Sequence, residues 1–241
     1  MSTTGRAIAI LGAKGGVGTT TVASNLAAEL ANGGSRSVLL LDLNLFLGDV
    51  GLHVGVEREP TVMTWMSAEN PGDAKRNIPK HTLGFWVLGL APDLSDADAV
   101  EAHDVLLLLN QLRSAFDVVV IDCGTDLNEV SLTACAYADD RLLVSTEQRP
   151  SLIGAKRRLD VLKSLEIDGT AAVGIINRAH PDSGVSPAAV EQAIGLHIIA
   201  RIRNAWADNQ AALAKQALLR EHCPGADVTH DYTQILRHMR Y

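Results

Sequence analysis

Aromatic residues make up only 4% of this 241-residue chain, although 47% of it is hydrophobic. Its core must therefore be built mainly from Leu, Val, Ile and Ala. That composition suits parallel strands covered by helices and argues against an aromatic-rich β-sandwich. Cysteine is scarce as well: Cys123, Cys135 and Cys223 are widely spaced, with no C-x-x-C pair. Such spacing excludes a disulfide framework and fits buried thiols in a reducing compartment. No apolar run approaches the roughly 20 residues of a membrane span. The opening segment lacks the charged and apolar blocks of a secretory leader. A soluble, cytoplasmic protein is expected. Positive charge is also short, with 21 Lys and Arg against 28 Asp and Glu and a net charge of −7. This balance argues against general affinity for nucleic acid or anionic lipid. The eight histidines form no H-x-x-x-H or H-x-H cluster, and no G-x-S-x-G elbow occurs. Neither a histidine metal centre nor a serine hydrolase is expected.

What the chain does have is regular alternation of short β-rich runs with helical periodicity. Strands are predicted at Ala7–Leu11, Val38–Leu43, Phe85–Leu90, Asp117–Asp122, Arg141–Thr146, Ala171–Asn177 and Ile198–Ile202. Helices are predicted at Thr19–Ala31, Val100–Phe116, Leu127–Ala138, Ser151–Leu165, Ser186–Ile194, Trp206–Leu219 and Asp231–Arg240. A shorter helix is expected at Thr61–Met66, in a Pro-punctuated stretch. In the first helix Val22, Leu26 and Leu30 recur at three-to-four spacing, and Gly33-Gly34 ends it. The alternation implies a doubly wound, mostly parallel α/β sheet in one domain over residues 1–241.

The most informative segment runs from the first strand into its helix: Gly12-Ala13-Lys14-Gly15-Gly16-Val17-Gly18-Thr19-Thr20-Thr21. Glycines let successive backbone N–H groups turn toward one point, and the helix that follows adds its positive end. The result is a nest for a di- or triphosphate. An ordinary phosphate loop places Lys after its last glycine and then Ser or Thr for Mg²⁺. Here Thr20 can serve the metal, but Thr19 stands in the lysine position with a hydroxyl and no charge. Lys14 lies earlier in the loop. The spacing is not the G-x-G-x-x-G of a dinucleotide loop.

This run resembles the deviant Walker A motif, K-G-G-x-G-[K]-[ST], of the ParA/MinD ATPases of the P-loop class. With Thr in place of the second lysine it looks most like the CpaE/TadZ branch, whose members help localise and assemble Tad-type pili. Leu41-Asp42-Leu43-Asn44 with Gly48-Asp49-Val50-Gly51-Leu52 resembles the D-L-D…G-D-V-x-L switch region. Val118-Val119-Val120-Ile121-Asp122 resembles the Walker B strand. Pro150-Ser151-Leu152, Ala155-Lys156-Arg157 and Ile176-Asn177-Arg178 are similar to later segments. The receiver-like N-terminal domain usual in that branch is not expected here.

The resemblance implies ATP and Mg²⁺ as ligands. It implies phosphate contacts from Gly15, Gly16, Val17, Gly18, Thr19, Thr20 and Thr21, and a metal held by Thr20, Asp42 and Asp122, partly through water. Strand-end carboxylates also cap helices or accept loop amides, and that reading of Asp42 and Asp122 stands beside the first. Lys14 would reach a partner's phosphates across a symmetric homodimer formed on the nucleotide face. Asn177, with Arg178, would meet the base, although a strand-end Asn equally serves as a cap or turn. Arg203-Asn204 lies where the family often has a Pro-containing base contact.

Two departures point away from turnover. Thr19 removes a cation, and Asn44 stands where the family has a second Asp that organises the attacking water; an amide is no base. Cys123-Gly124-Thr125-Asp126 also alters the family's x-P-x-G. Loss of one electrostatic stabiliser costs about 10²–10³ in rate. The expected function is an ATP-binding, dimerising scaffold for pilus or secretion-system assembly, with slow or no hydrolysis. Partners would recruit it to the cell pole or the inner-membrane face. Two alternatives stay open: a working ATPase that positions cargo, and a nucleotide-free interaction module of another secretion system such as cellulose export. The terminal segment, with Tyr232, Ile235, Leu236 and Met239 on one face, reads as a core-packing helix in preference to a membrane-binding one.

Overall fold

Five runs of β-branched and leucine residues form central strands because both of their faces are covered. They are β1 (Arg6–Gly12), β2 (Val38–Asp42), β4 (Val118–Asp122), β5 (Asp140–Ser145) and β6 (Ala172–Ala179), with β3 (Trp86–Leu88) and β7 (Ile198–Arg203) at the edges. The computed structural model describes residues 4–44, 48, 50–56, 62, 65, 75–89, 100–167 and 172–239. Within them the strands form one seven-stranded sheet in the order β3-β2-β4-β1-β5-β6-β7. Every pairing of named strands is parallel. The connection β1→β2 passes one way across the sheet and β4→β5 passes the other, so the crevice at their carboxyl ends is a topological switch point. Asp42 and Asp122 are register partners at that end.

Helix α1 (Thr19–Ala31) is buried on nearly every side, Val22, Leu26 and Leu30 completely. It lies against β2 and β4 and under α2 (Val50–His53) and the last helix. Around the sheet follow α3 (Ala102–Ala115), α4 (Glu129–Tyr137), α5 (Arg149–Ser164) and α6 (Pro187–Ile194). After β7 come α7 (Trp206–Leu213), α8 (Leu219–His222) and α9 (Asp227–His238).

Two expected helices are corrected by packing. The single helix over Trp206–Leu219 is broken into α7 and α8, with Gln216 at φ 50° between them. Beyond the break Leu218 and Leu219 are both buried, and the Leu219 amide donates to the Asn25 Oδ1 of α1 at 3.3 Å. The last helix starts at Asp227, four residues earlier than expected, because Val228 joins Tyr232 and Ile235 on its buried face. That face is packed in the core, as the core-helix reading expects. Of the segment Thr61–Met66, only Val62 and Trp65 are described, and both are buried. Asp49 and Arg240 lie outside the described residues. No described helix is long and apolar enough to cross a membrane.

Candidate phosphate-loop site

The loop between β1 and α1 takes its shape from glycine. Gly18 has φ 89°, a conformation that side chains resist. A methyl there would also collide with the Asn177 amide nitrogen. Gly15 and Gly16 are exposed, with open space where a Cβ would stand. The loop is tied down from below: the Gly12 amide donates to the Gly124 carbonyl at 2.8 Å, and the Ala13 amide donates to that of Val144 at 2.7 Å.

Thr20 donates its hydroxyl hydrogen to Asp122 Oδ2 at 2.6 Å, and the Gly124 amide donates to Oδ1 at 3.0 Å. The hydroxyl and carboxylate expected to share a metal are thus in direct contact. Thr19 points the other way. It is buried, and its hydroxyl packs so closely on Gly12 that a methyl on Gly12 would strike it. Thr21, in the first turn of α1, offers its carbonyl to Asn25 Nδ2 at 2.9 Å. Lys14 Nζ donates to the Gly15 carbonyl at 3.1 Å on the exposed rim.

Asp42 is buried and accepts loop amides on both oxygens: Asn44 N on Oδ1 at 3.0 Å and Val50 N on Oδ2 at 3.1 Å. The second of these caps α2. The Asn44 side chain lies against Gly124, where a methyl would come within 2.7 Å of its amide carbon. The two switch-like segments therefore touch each other beside Asp122. From α5, Arg158 Nη2 donates to the Thr125 carbonyl at 2.7 Å and holds the same turn.

At the other end of the crevice Asn177 is only 6% exposed. Its Nδ2 donates to the Val17 carbonyl at 2.8 Å, and its Oδ1 accepts the Arg178 amide at 2.9 Å. Arg178 has φ 53°, rare for a side-chain-bearing residue, next to a register irregularity between β6 and β7. Arg203 does not face the crevice. Its guanidinium forks onto Asp231, Nε to Oδ2 at 2.7 Å and Nη2 to Oδ1 at 2.9 Å, with Nη1 on Asp227 at 2.6 Å. The Arg203 guanidinium is thus spent on α9, while Asn204 lies on the crevice wall.

Sequence reasoning missed the rest of that wall. A cavity of about 310 Å³ beside the loop is lined by Lys14, Gly16, Glu147, His180, Asn204 and Trp206, among others. All of these follow the carboxyl ends of β1, β5, β6 and β7, a positional signal present in the sequence once the strands are ordered. Burial alone would raise the Glu147 carboxyl, but the His180 amide and the Arg201 guanidinium hold it below the usual glutamate range. Cys123 and Cys135 are buried, whereas Cys223 is only partly so. Contact with the Cys135 thiol, burial and nearby Asp122 push the Cys123 thiol well up, which keeps it protonated.

The family model for ParA, described as NUBPL iron-transfer P-loop NTPase, matches residues 3–180. An ATP-binding protein of Methanocaldococcus jannaschii is 34% identical over 182 residues, covering 73% of this chain and 66% of that protein. The septum site-determining protein MinD of Synechocystis is 30% identical over 179 residues, with the same coverage of each. The chain thus spans about two thirds of the length of these relatives. Among solved structures, a ParA family ATPase from Chlorobium tepidum superposes with a TM-score of 0.89 at 20% identity, covering 97% of this chain and 99% of that one. MinD of Pyrococcus horikoshii, complexed with Mg-ADP, gives 0.83 at 21% identity, covering 97% and 95%. These two structures bear on the fold alone. The glycine loop after β1, the Thr20–Asp122 contact and the family match over most of the length together establish that the chain belongs to the ParA/MinD family of P-loop NTPases.

Proposed function

We propose that this chain is an ATP-binding, dimerising scaffold of the CpaE/TadZ type, serving pilus or secretion-system assembly, with slow or absent hydrolysis. The observation that carries this reading is the placement of Thr19. The residue where an ordinary phosphate loop has its lysine is short, uncharged and turned down onto Gly12. No cation on α1 takes its place, so the β and γ phosphates lose a stabiliser that catalysis requires.

The residues present still fit Mg²⁺ and a phosphate chain. Thr20 and Asp122 form an adjacent hydroxyl–carboxylate pair, and Gly15 and Gly16 leave an open cradle. Thr20 would hold the metal directly and Asp122 would hold it through water. Asp42 has less support as a metal residue, since both of its oxygens serve loop amides. The metal would neutralise phosphate charge. Gly16, Val17 and Gly18 would supply amides, and Lys14, free to leave the rim, would complete the site of a second copy. Asn44 can orient water but cannot accept its proton. Arg201, Arg203 and Arg220 are paired with acids, which leaves less positive charge in that region for nucleic acid.

A catalytically active ATPase that positions cargo is the second reading, favoured by the intact Thr20–Asp122 pair. Mg-ATP titration with oligomeric mass, alongside a turnover assay, separates the two. The scaffold reading expects ATP-dependent dimerisation that Lys14→Ala abolishes, with turnover near background. Ordinary Lys14-dependent turnover would sink it, and absence of nucleotide binding would leave only the nucleotide-free module.

A further inference from the structure

Trp206 is the most exposed large apolar side chain among the described residues, at 64%. The other two tryptophans are covered: Trp65 is 1% exposed, and Trp86 is partly buried with Lys75 and Lys80 over its ring. An indole left in water forgoes a large burial gain, so a bare one on the wall of a ligand-sized cavity calls for a partner. The family model match ends at residue 180, well before this position.

The backbone carrying Trp206 is fixed from behind. The Asn204 amide donates to the Ala179 carbonyl at 2.9 Å, and the Arg203 fork onto Asp231 and Asp227 pins the end of β7 to α9. Several polar groups around the cavity are committed to protein partners. Glu147 accepts the His180 amide and Arg201; Asn204 Nδ2 lies 3.0 Å from His180 Nε2; Asn177 is buried and spends its amide on the phosphate loop and on Arg178. The buried Thr146 hydroxyl, which has no partner among the described residues, and the Gln148 and Arg178 side chains also line the cavity, so polar groups remain for the edge of a base, while the Trp206 indole offers it a flat apolar face.

Building on the nucleotide-binding reading above, we infer that Trp206 is the platform on which the nucleotide base stacks. Stacking then supplies a large share of the base affinity, beside the edge contacts that the polar lining makes. Asn177 is a positioning residue that braces the loop at Val17 and Gly18. Because every base has a π-face, the stacking contribution itself is shared by adenine and guanine.

The test is titration of the full chain with Mg-ATP, Mg-GTP and Mg-tripolyphosphate, for the wild type, Trp206→Ala and Trp206→Phe. Trp206→Ala should weaken ATP and GTP alike by about five- to hundredfold, leave tripolyphosphate unchanged, and be largely rescued in Trp206→Phe. ATP should quench the exposed indole's fluorescence, and tripolyphosphate should not. A Trp206→Ala protein with unaltered ATP affinity overturns the inference while the nucleotide reading survives. Equal wild-type affinity for ATP and tripolyphosphate does the same. A wild type that binds none of the three overturns both. The side chain is exposed, so the substitutions are expected to leave the fold intact, which thermal unfolding checks.

Discussion

Asp42 and Asp122 end neighbouring strands, are register partners, and are both almost wholly buried. In the sequence they look equivalent. Their partners differ: Asp122 reaches across to the Thr20 hydroxyl at the start of α1, while Asp42 binds the Asn44 and Val50 amides of its own following loop. One carboxylate faces the phosphate loop and the other builds a neighbouring segment. Strand position places an acid near a site, but the next few residues decide what it holds. Asp42 is followed by a chain that folds back over it. Asp122 is followed by Gly124 at φ 62°, which turns the chain away and leaves one oxygen to Thr20.

The largest test of this contrast is Gly18→Val. It forces a side chain into a left-handed conformation and against Asn177, costing about 1–3 kcal/mol from backbone strain alone. Denaturant unfolding should show that loss, and phosphate binding should vanish with it. Next is Asp42→Ala, which orphans two amides and the α2 cap. A stability loss of about 2 kcal/mol is expected, and a value near zero would break the comparison. Asp122→Asn should cost less stability, because the amide still accepts from Thr20 or Gly124. It should, however, remove the Mg²⁺ dependence of nucleotide binding, read by titration with and without EDTA.

A pH series sharpens the picture on the base side. Glu147 has its folded pKa lowered, so its stabilising contribution is present above about pH 4.3 and lost as pH falls through the folded value. The stability gap between wild type and Glu147→Gln should therefore shrink on acidification. The smallest effect is expected from Lys14→Ala. The side chain bonds only the exposed loop, so stability should change by less than about 0.5 kcal/mol. Chemical denaturation sets this against the dimer assay, where its effect should be large.

Much of the fold was legible because strand burial and helix periodicity are local signals. Helix α1 falls at Thr19–Ala31 as its Val22-Leu26-Leu30 stripe predicts, and β2 and β4 lie within a residue of their apolar runs. The boundaries that moved, at α7–α8 and at the start of α9, depend on what each turn packs against. The break at Gln216 redirects the chain so that Leu218 and Leu219 reach the core and the Leu219 amide reaches Asn25 of α1. The phosphate loop was legible for a related reason. Its glycines and Thr20 do their work within a few residues, and local spacing encodes local geometry.

The sequence by itself therefore determined the strand–loop–helix that carries the glycine nest, the missing cation at Thr19, and the parallel sheet behind them. Only the tertiary structure decided that Thr19 turns down onto Gly12, that Arg203 is spent on α9, and that Trp206 stands bare beside the loop. The Arg203 pairings span more than 20 residues of chain, the Thr19 contact closes back across the loop onto Gly12, and the setting of Trp206 is made by the ends of other strands. Spacing along a sequence does not record such meetings, because they are set by which strand ends the sheet brings together.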